Sequence, residues 1–295
     1  MPSDDVFEII APAQWTAPLV FNSPHSGNTL PEDFLALSRL DARTLHLSQD
    51  CYVDELFGGC IATGAPMLRA LLSRSYIDLN REPYELDPRM FLEDVPRHFN
   101  TSSPRVTCGL GTLPRIVAEG QDIYRGRIPL AQAITRIERC YHPYHRALAA
   151  LLNEAHQATG QVLLVDCHSM PSSAVAEIQG QRERRIDIVL GDRFGASADP
   201  EITATAESCL RSAGLNVVRN RPYAGGFSTE NHGRPPLGRH ALQIEINRCL
   251  YMDETRQLKS PGFSEMKRVL DTLCQSLANL MSVDTAAAEL PMAAE

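Results

Sequence analysis

The chain has 295 residues, a formal net charge of −8 and a hydrophobic fraction of 43%. This length and composition allow one large α/β domain or two small ones, with a sizeable core. The acidic charge balance argues against a nucleic-acid-binding protein, which usually presents a basic face, and any anionic ligand would have to be met by a local group of arginines.

Strand patterns and helix patterns alternate along the chain. Short apolar runs predict strands, and these lie at 18–22, 66–71, 75–79, 161–166, 186–190, 215–219 and 241–246. Helical patterns lie at 52–62, 129–158, 200–213 and 263–282. Pro143 should kink the long helix 129–158 or split it in two. The alternation indicates an α/β fold with a mixed, mostly parallel sheet and helices on both faces.

Two segments lack these patterns. Residues 83–128 are rich in proline and glycine, and they predict a long functional loop region with room for a small hairpin. Residues 221–240 combine glycines with polar side chains just before the last strand, which is typical of a substrate lid. No repeat or clear linker interrupts the chain. We therefore expect an irregular lead-in at 1–16, a single domain at 17–283 and a weakly ordered tail at 284–295.

The composition also indicates the compartment. We find no apolar stretch of membrane length and no signal peptide, so we expect no membrane partner. The eight cysteines are scattered and form no C-x-x-C pair, which favours reduced, mostly buried thiols over a disulfide framework. Together these features predict a cytoplasmic protein.

Two histidines follow predicted strands in matching contexts. His25 follows 18–22 in the turn-rich sequence Ser-Pro-His-Ser-Gly, and His168 follows 161–166. Ligands of open α/β sheets collect at the carboxyl ends of strands, and a catalytic zinc ion takes three protein ligands and one water. We therefore favour His25 and His168 as neutral metal ligands over the alternative that each is only hydrogen-bonded within a tight turn.

An acid is expected to complete the metal site. Asp50 and Asp54 both lie near the start of the predicted helix 52–62. Asp50 could instead cap that helix, and Asp54 could favour its dipole without any metal. Asp166 lies two residues before His168, so the two side chains share one face of a strand, and Asp166 could orient the histidine.

Glu245 is the candidate general base. It interrupts an otherwise apolar predicted strand and shares a face with Gln243 and Asn247. A buried carboxylate beside a metal-bound water can take up its proton and later pass it to a leaving amine. The alternative is a structural pair with Arg248 or Arg239. Because an acid inside an apolar strand is costly without a partner, a functional role is at least as well supported.

The segment 73–81 carries the candidate anion site. Asn80 and Arg81 could bind a substrate carboxylate, because the planar guanidinium matches a carboxylate in a bidentate way. Arg74 could polarise a scissile carbonyl and stabilise its oxyanion. The alternative for an isolated arginine and aspartate here is a surface ion pair, which contributes little to stability.

Other histidines and glycines give weaker signals. The pair Gly225-Gly226 allows backbone conformations that other residues avoid, and His232 could either contact substrate or be a solvated loop histidine. His142 and His145 have the spacing of a metal pair. The proline between them and the helical context favour packing or surface roles instead.

Taken in order, these segments resemble the N-formylglutamate amidohydrolase family. The resemblance runs from near residue 17 to about residue 255, and it is the ordered set rather than any one motif that is specific. The matching pieces are Ser23–Gly27, Asp50–Phe57, Ser73–Arg81, Val165–Ser169, Gly225–Gly233 and Leu242–Glu245. The family belongs among the zinc carboxypeptidase-like hydrolases. The resemblance therefore implies a zinc carboxypeptidase-like α/β fold and one zinc ion per chain.

The resemblance also implies roles for individual residues. The wider group has His-x-x-Glu after one strand, but here Asn28 stands three residues after His25. We therefore give the third zinc ligand to Asp50, the acid in this family's version of the next segment. Zinc would be held by His25, Asp50 and His168, with Glu245 and Arg74 as catalytic residues. Substrate would be bound by Asn80, Arg81, Gly226 and His232.

The implied reaction is hydrolysis of N-formyl-L-glutamate to formate and L-glutamate, the last step of one route of histidine breakdown. The partner would thus be a small anionic substrate, with no nucleic acid. Two alternatives stay open: a deacylase of another N-acyl amino acid on the same scaffold, or a non-catalytic protein that binds acidic amino acids and needs neither metal nor Glu245. A peptidase is less favoured, because 83–128 and 221–240 could close a small pocket.

Overall fold

The structure is a computed structural model that describes residues 6–117, 120–179 and 185–287. The chain divides into two compact units that interleave along the sequence. Unit 1 comprises Met1–Glu8, Pro24–Cys51 and Arg69–Ala149, and unit 2 comprises Ile9–Ser23, Tyr52–Leu68 and Ala150–Glu295. The predicted single domain at 17–283 stays a prediction. Residues 1–5 of the predicted lead-in and 288–295 of the predicted tail at 284–295 lie outside the described residues.

The strands follow the predicted apolar runs closely. In chain order they are β1 (Phe7–Ile10), β2 (Leu19–Ser23), β3 (Met67–Ala70), β4 (Ile116–Val117), β5 (Gln121–Asp122), β6 (Val162–Met170), β7 (Ile188–Gly191), β8 (Val217–Arg219), β9 (Arg239–Asn247), β10 (Met252–Asp253) and β11 (Leu258–Lys259). Seven of them form one sheet in the order β1-β3-β2-β6-β9-β7-β8. The strand β1 is an addition, because an irregular lead-in was expected there.

The centre of the sheet is parallel. Strand β6 pairs in parallel with β2 on one side and with β9 on the other, and β7 pairs in parallel with β8. The pairing of β7 with β9 is antiparallel. All nine residues of β6 are buried, which explains its continuous apolar run. The predicted mixed, mostly parallel sheet is therefore confirmed.

The helices are short except at three places. In chain order they are α1 (Glu32–Leu37), α2 (Ala42–Leu45), α3 (Val53–Leu56), α4 (Pro104–Thr107), α5 (Leu130–Arg136), α6 (His142–Thr159), α7 (Ser172–Gln179), α8 (Pro200–Ser212), α9 (Phe227–His232) and α10 (Phe263–Ala287). Short 3-10 turns lie at His46–Ser48, Gly58–Thr63, Pro88–Met90, Pro235–Leu237 and Arg248–Leu250. Among the described residues, no helix is both long and apolar enough to cross a bilayer.

Helices cover both faces of β6, as predicted. The Asn22 side chain donates to Asp166 at 2.7 Å and reaches Ser228 of α9 at 3.5 Å, so α9 lies on the Asp166 face. The Cys167 side chain points the other way, because neighbouring residues on a strand alternate. Its thiol lies near that of Cys274 in α10. The Asp166 face therefore carries the linked polar side chains of Asn22 and Asp166.

One predicted strand is wrong. Residues 75–79 form turn and irregular backbone, since the amides of Tyr76 and Ile77 donate back to the carbonyl of Ser73. The alternation that predicted a strand has another cause: Ile77 and Leu79 are buried among apolar groups, and Asp78 between them is buried in an ionic cluster.

The predicted helix 129–158 is split, as Pro143 suggested. A π-helical segment at Ile137–Tyr141 separates α5 from α6, and Pro143 is the second residue of α6. Proline has no N–H to donate to the preceding turn, so the break falls directly before it.

The two irregular segments contain short elements. Strands β4 and β5 form the small antiparallel hairpin expected within 83–128. The segment 221–240 was expected to be a loop, but it contains α9. Gly225 has φ +134, a conformation that favours glycine, and the side chain of Thr229 lies against it.

Candidate active site

His25 occupies a tight turn just after β2. An added Cβ on Gly27 would lie 2.4 Å from the carbonyl oxygen of Leu72, so only glycine fits this close backbone approach. The His25 side chain is 2% exposed. Its Nε2 lies 2.7 Å from Oδ1 of Asp78, and its Nδ1 lies 3.5 Å from Oδ2 of Asp50. One ring nitrogen is thus held by a carboxylate, and the other faces the acid that was predicted to bind metal.

Asp50 is fixed by the backbone of that same turn. Its amide donates to the carbonyl of His25 at 3.0 Å, and its side chain is 1% exposed. The alternative role as a helix cap is excluded, because the N-cap of α3 is Tyr52 in a left-handed conformation. Asp54 lies in the first turn of α3, where a carboxylate favours the helix dipole, as predicted.

Asp78 connects three functional candidates in unit 1. Besides His25, its carboxylate accepts from Arg74 Nε at 2.9 Å, and it lies 3.4 Å from a terminal nitrogen of Arg81. Burial alone would raise its pKa, but the charges of Arg74 and Arg81 and the contact with His25 hold the pKa of Asp78 well below its usual value. The carboxylate therefore stays ionised, and the surface-pair alternative for this segment is wrong.

Arg81 is held on several sides. Its Nε donates to the carbonyl of Leu110 and one terminal nitrogen donates to the carbonyl of Asn80, each at 2.9 Å. The Asn80 amide donates to Asp78 at 2.9 Å. Burial lowers the pKa of Arg81 to about 10, against the opposite effect of Asp78, so the guanidinium stays charged near neutral pH. The segment thus presents a rigid cation in an acidic protein.

His168 lies inside β6 rather than after it. The strand runs on to Met170, beyond the predicted end at 166, because the residues after Asp166 continue the ladder with β9. The His168 Nε2 lies 3.0 Å from Oδ2 of Asp166, which was predicted to orient it. Asp166 in turn accepts from Asn22 at 2.7 Å. His25 and His168 therefore share one arrangement, with a carboxylate on Nε2.

Glu245 is the neighbour of His168 across the ladder. The two residues are register partners in β6 and β9, so their side chains start from the same face of the sheet. Gln243 lies two residues earlier on that face, and its Nε2 donates to Glu245 at 2.8 Å. The side-chain oxygen of Gln243, Oε1, accepts from the main-chain amide of Gly226 at 2.6 Å. Glu245 is thus linked through Gln243 to the first turn of α9.

His232 lies at the end of α9 rather than in a loop. Burial lowers its pKa to about 4, although the nearby Asp166 carboxylate acts in the opposite direction. The ring is therefore neutral near pH 7 and can act only through hydrogen bonds. Cys167, next to His168, is no nucleophile candidate, because burial raises the pKa of its thiol well above the usual value.

The three predicted metal ligands form one buried group. His25, Asp50 and His168 each offer a donor atom, and these atoms lie within 4.8 Å of one another. Such a group of two imidazoles and a carboxylate could hold a metal ion.

Comparison with known proteins gives a consistent result. The family model described as N-formylglutamate amidohydrolase matches residues 17–252. The chain belongs to this family. It is 31% identical over 250 residues to the N-formylglutamate deformylase of Pseudomonas aeruginosa, covering 84% of this chain and 86% of that protein. The corresponding deformylase of Pseudomonas putida is 28% identical over 269 residues, which cover 88% and 93% of the two chains.

Solved structures agree with the family. The N-formylglutamate amidohydrolase of Ralstonia eutropha JMP134 is 33% identical with a TM-score of 0.88, and the match covers 95% of this chain and 99% of that one. The gene product Atu2144 of Agrobacterium tumefaciens is 21% identical with a TM-score of 0.64, covering 93% and 96%, and it shows the fold alone. This member of the family is therefore an amidohydrolase, and its fold is of the α/β class.

Two connecting residues of this family member are not predicted from its sequence. The sequence pattern predicts at most a surface ion pair for Asp78, although an acid between two arginines in an apolar segment is itself a signal of a buried cluster. Gln243 shares a strand face with Glu245, but the sequence does not predict their hydrogen bond. The hydrogen bond of Gln243 to Gly226 joins positions 17 residues apart, and no local pattern predicts it.

Among the residues that the structure describes, the candidate metal group does not include His142 or His145, which contact other groups of unit 1. The His142 Nε2 lies 3.3 Å from the hydroxyl of Tyr84, and the His145 Nε2 lies 2.9 Å from the carbonyl of Leu79.

The two acids of the Asp50–Phe57 segment can be separated by substitution. We expect Asp50→Ala to bind metal at least about tenfold more weakly, because it removes a buried donor, whereas Asp54→Ala should keep a full equivalent. Metal analysis of both purified variants is the measurement. Loss of metal in the Asp54 variant alone would transfer the ligand assignment to Asp54.

Proposed function

We propose that the protein is a metal-dependent hydrolase that converts N-formyl-L-glutamate and water to formate and L-glutamate. The observation that carries the proposal is the buried group of His25, Asp50 and His168, whose donor atoms lie within 4.8 Å of one another. Membership of the N-formylglutamate amidohydrolase family, and relatives named for deformylation of N-formylglutamate, support the substrate.

The residues fit a zinc ion. Two imidazole nitrogens and one carboxylate oxygen are a usual ligand set of catalytic zinc, which keeps a further position for water or substrate. Asp78 and Asp166 contact the Nε2 atoms of the two histidines, and such carboxylates fix the ring orientation and raise the basicity of the ligand. When bound, one zinc ion per chain would polarise the formyl carbonyl and make water more acidic.

Glu245 would move the proton. It would accept a proton from the attacking water as the water oxygen bonds to the formyl carbon. It would then deliver the proton to the amide nitrogen as the carbon–nitrogen bond breaks, which releases formate and the free amine. The side-chain Nε2 of Gln243 donates to Oε1 of Glu245 at 2.8 Å, and this hydrogen bond orients the carboxylate.

The arginines would bind the substrate's charges. We assign the α-carboxylate to Arg81 and Asn80, and the developing oxyanion to Arg74, whose side chain is 23% exposed against 11% for Arg81. Gly226 and His232 are assigned to substrate contact from the side of α9. Because the His232 ring is neutral near pH 7, it would contribute a hydrogen bond rather than a charge.

The reaction is tested directly. The purified protein is incubated with N-formyl-L-glutamate, and release of formate and L-glutamate is measured before chelation, after chelation, and after addition of Zn²⁺. We expect activity that is lost on chelation and restored by zinc. N-formyl-L-glutamine is the matched probe, because it lacks only the side-chain carboxylate. Equal hydrolysis of both would contradict specificity for the dianion, and activity that survives complete metal removal would contradict the metal dependence.

Two arginine variants test the division of roles. Arg81→Lys should chiefly raise KM, by about tenfold or more, because the carboxylate is bound in ground and transition state alike and lysine lacks the planar fork. Arg74→Ala should chiefly lower kcat, by about a hundredfold or more, because an oxyanion exists only in the transition state. Steady-state kinetics separates the two, and an Arg74 variant with a changed KM alone would rule out the oxyanion role.

We also propose that the protein works in the cytoplasm. All eight cysteines are free thiols, five of them buried. Free thiols are typical of a reducing compartment.

A further inference from the structure

The start of α6 holds the main chain that carries the candidate substrate-binding residues. His145 lies 2.9 Å through its Nε2 from the carbonyl of Leu79, and the Tyr141 hydroxyl donates to the carbonyl of Arg81 at 2.6 Å. These two carbonyls flank Asn80. All the groups belong to unit 1. We propose that Tyr141 and His145 are positioning residues that set the place of Asn80 and Arg81 for the substrate carboxylate.

The two donors lie four residues apart, on one face of the helix. Tyr141 is the last residue of Ile137–Tyr141, and His145 follows one turn later in α6. Their rings pack against each other in a tilted arrangement, with centroids 4.1 Å apart and 31° between the planes. Each ring therefore restricts the other's rotamers, and both donors point at the same backbone segment. Inserted π-turns of this kind are frequent at functional sites.

The segment at 78–81 is irregular and depends on such contacts. It has no helix or strand of its own, and on the opposite side of its backbone the Asn80 amide donates to Asp78. Asp78 thus accepts from the amide of Asn80, and Tyr141 and His145 contact the carbonyls of Arg81 and Leu79. Burial raises the pKa of Tyr141, so its hydroxyl stays protonated and keeps donating.

This inference rests on the proposed function of Asn80 and Arg81, and it differs from a purely structural role in what it predicts. A hydroxyl that only satisfies a buried carbonyl would lower stability when removed, without changing substrate affinity selectively. A positioning hydroxyl would raise KM and leave kcat nearly unchanged, because a ground-state contact to the carboxylate becomes misplaced.

The test uses single-atom and matched variants of the full chain. Tyr141→Phe removes only the hydroxyl. His145→Leu removes the donor, and His145→Gln returns an N–H at similar reach. Tyr84→Phe is the control, because its hydroxyl contacts His142 of the same helix but not 78–81. KM and kcat for N-formyl-L-glutamate, Kd for L-glutamate by calorimetry, zinc content and the thermal midpoint are measured for each.

We expect Tyr141→Phe and His145→Leu each to raise KM about threefold to tenfold, in line with one lost hydrogen bond, with kcat and zinc content unchanged. His145→Gln should recover most of the loss, and Tyr84→Phe should match the wild type in KM. Unchanged KM and Kd in both Tyr141→Phe and His145→Leu, while Arg81→Lys raises KM, would overturn the inference and leave the proposed function standing. A wild type that hydrolyses no N-formyl-L-glutamate would contradict the proposed function, and the Kd values would then decide the inference.

Discussion

Replacing His168 with alanine is expected to abolish metal binding and activity together. The variant removes one of three buried donors, and the loss of the metal's Lewis acidity should lower kcat/KM by more than about a thousandfold. His168 stands in β6, at the centre of the sheet, where the ladder with β9 pairs it with Glu245 and keeps its position fixed. Zinc content of the purified variant and its rate on N-formyl-L-glutamate are the measurements.

The control for that experiment is His98→Ala, because His98 is exposed and lies outside the candidate site. This variant should keep a full equivalent of zinc and normal activity. The thermal midpoint of the zinc-free wild type is the reference for stability. Removal of the zinc ion and removal of the His168 side chain should lower the midpoint by similar amounts. A His168 variant that keeps one equivalent of zinc would contradict the ligand assignment.

The second large effect is expected for Glu245→Gln. This change is nearly isosteric and keeps a hydrogen-bond acceptor opposite Gln243, so the fold and the zinc content should be preserved. Loss of the base should lower kcat by about a hundredfold to ten-thousandfold, with KM little changed. Steady-state kinetics, zinc analysis and the thermal midpoint together give the result.

Glu265→Gln is the matched control, because Glu265 is exposed in the first turn of α10. It should retain wild-type kinetics. If the Glu245 variant turns over substrate at a near-normal rate with its zinc in place, another group must carry the proton. A variant that loses zinc would instead give Glu245 a part in holding the metal.

The buried strands were predictable because their environment leaves a mark on the sequence. A strand covered on both faces favours apolar side chains: β6 begins with such a run, and in β9 the run 241–246 is interrupted only by Gln243 and Glu245. The segment 75–79 shows the limit of this signal. An alternation of apolar and polar residues also occurs in irregular backbone, when an ionised side chain such as Asp78 is buried in an ionic cluster.

The candidate site was predictable where a polar residue comes directly after a strongly apolar stretch of sequence, as at His25 and His168. The connections among side chains were not. The contact between His25 and Asp78 joins positions 53 residues apart, and it depends on how the turn at Gly27 meets the backbone at 71–72. The π-helical segment was also hidden, because five residues are too few to distinguish its period from that of an α-helix.

The position of Asp78 has a consequence for mutational data. One carboxylate contacts His25 as well as Arg74 and Arg81, so in the proposed site it serves the metal and the substrate anion at once. Binding of the metal then changes the affinity for the substrate anion. By thermodynamic linkage, binding of the anion must change the affinity for the metal by the same factor. Substitutions at these three positions should not be additive, and double-mutant cycles between His25 and either arginine should show a coupling energy that disappears when Asp78 is replaced.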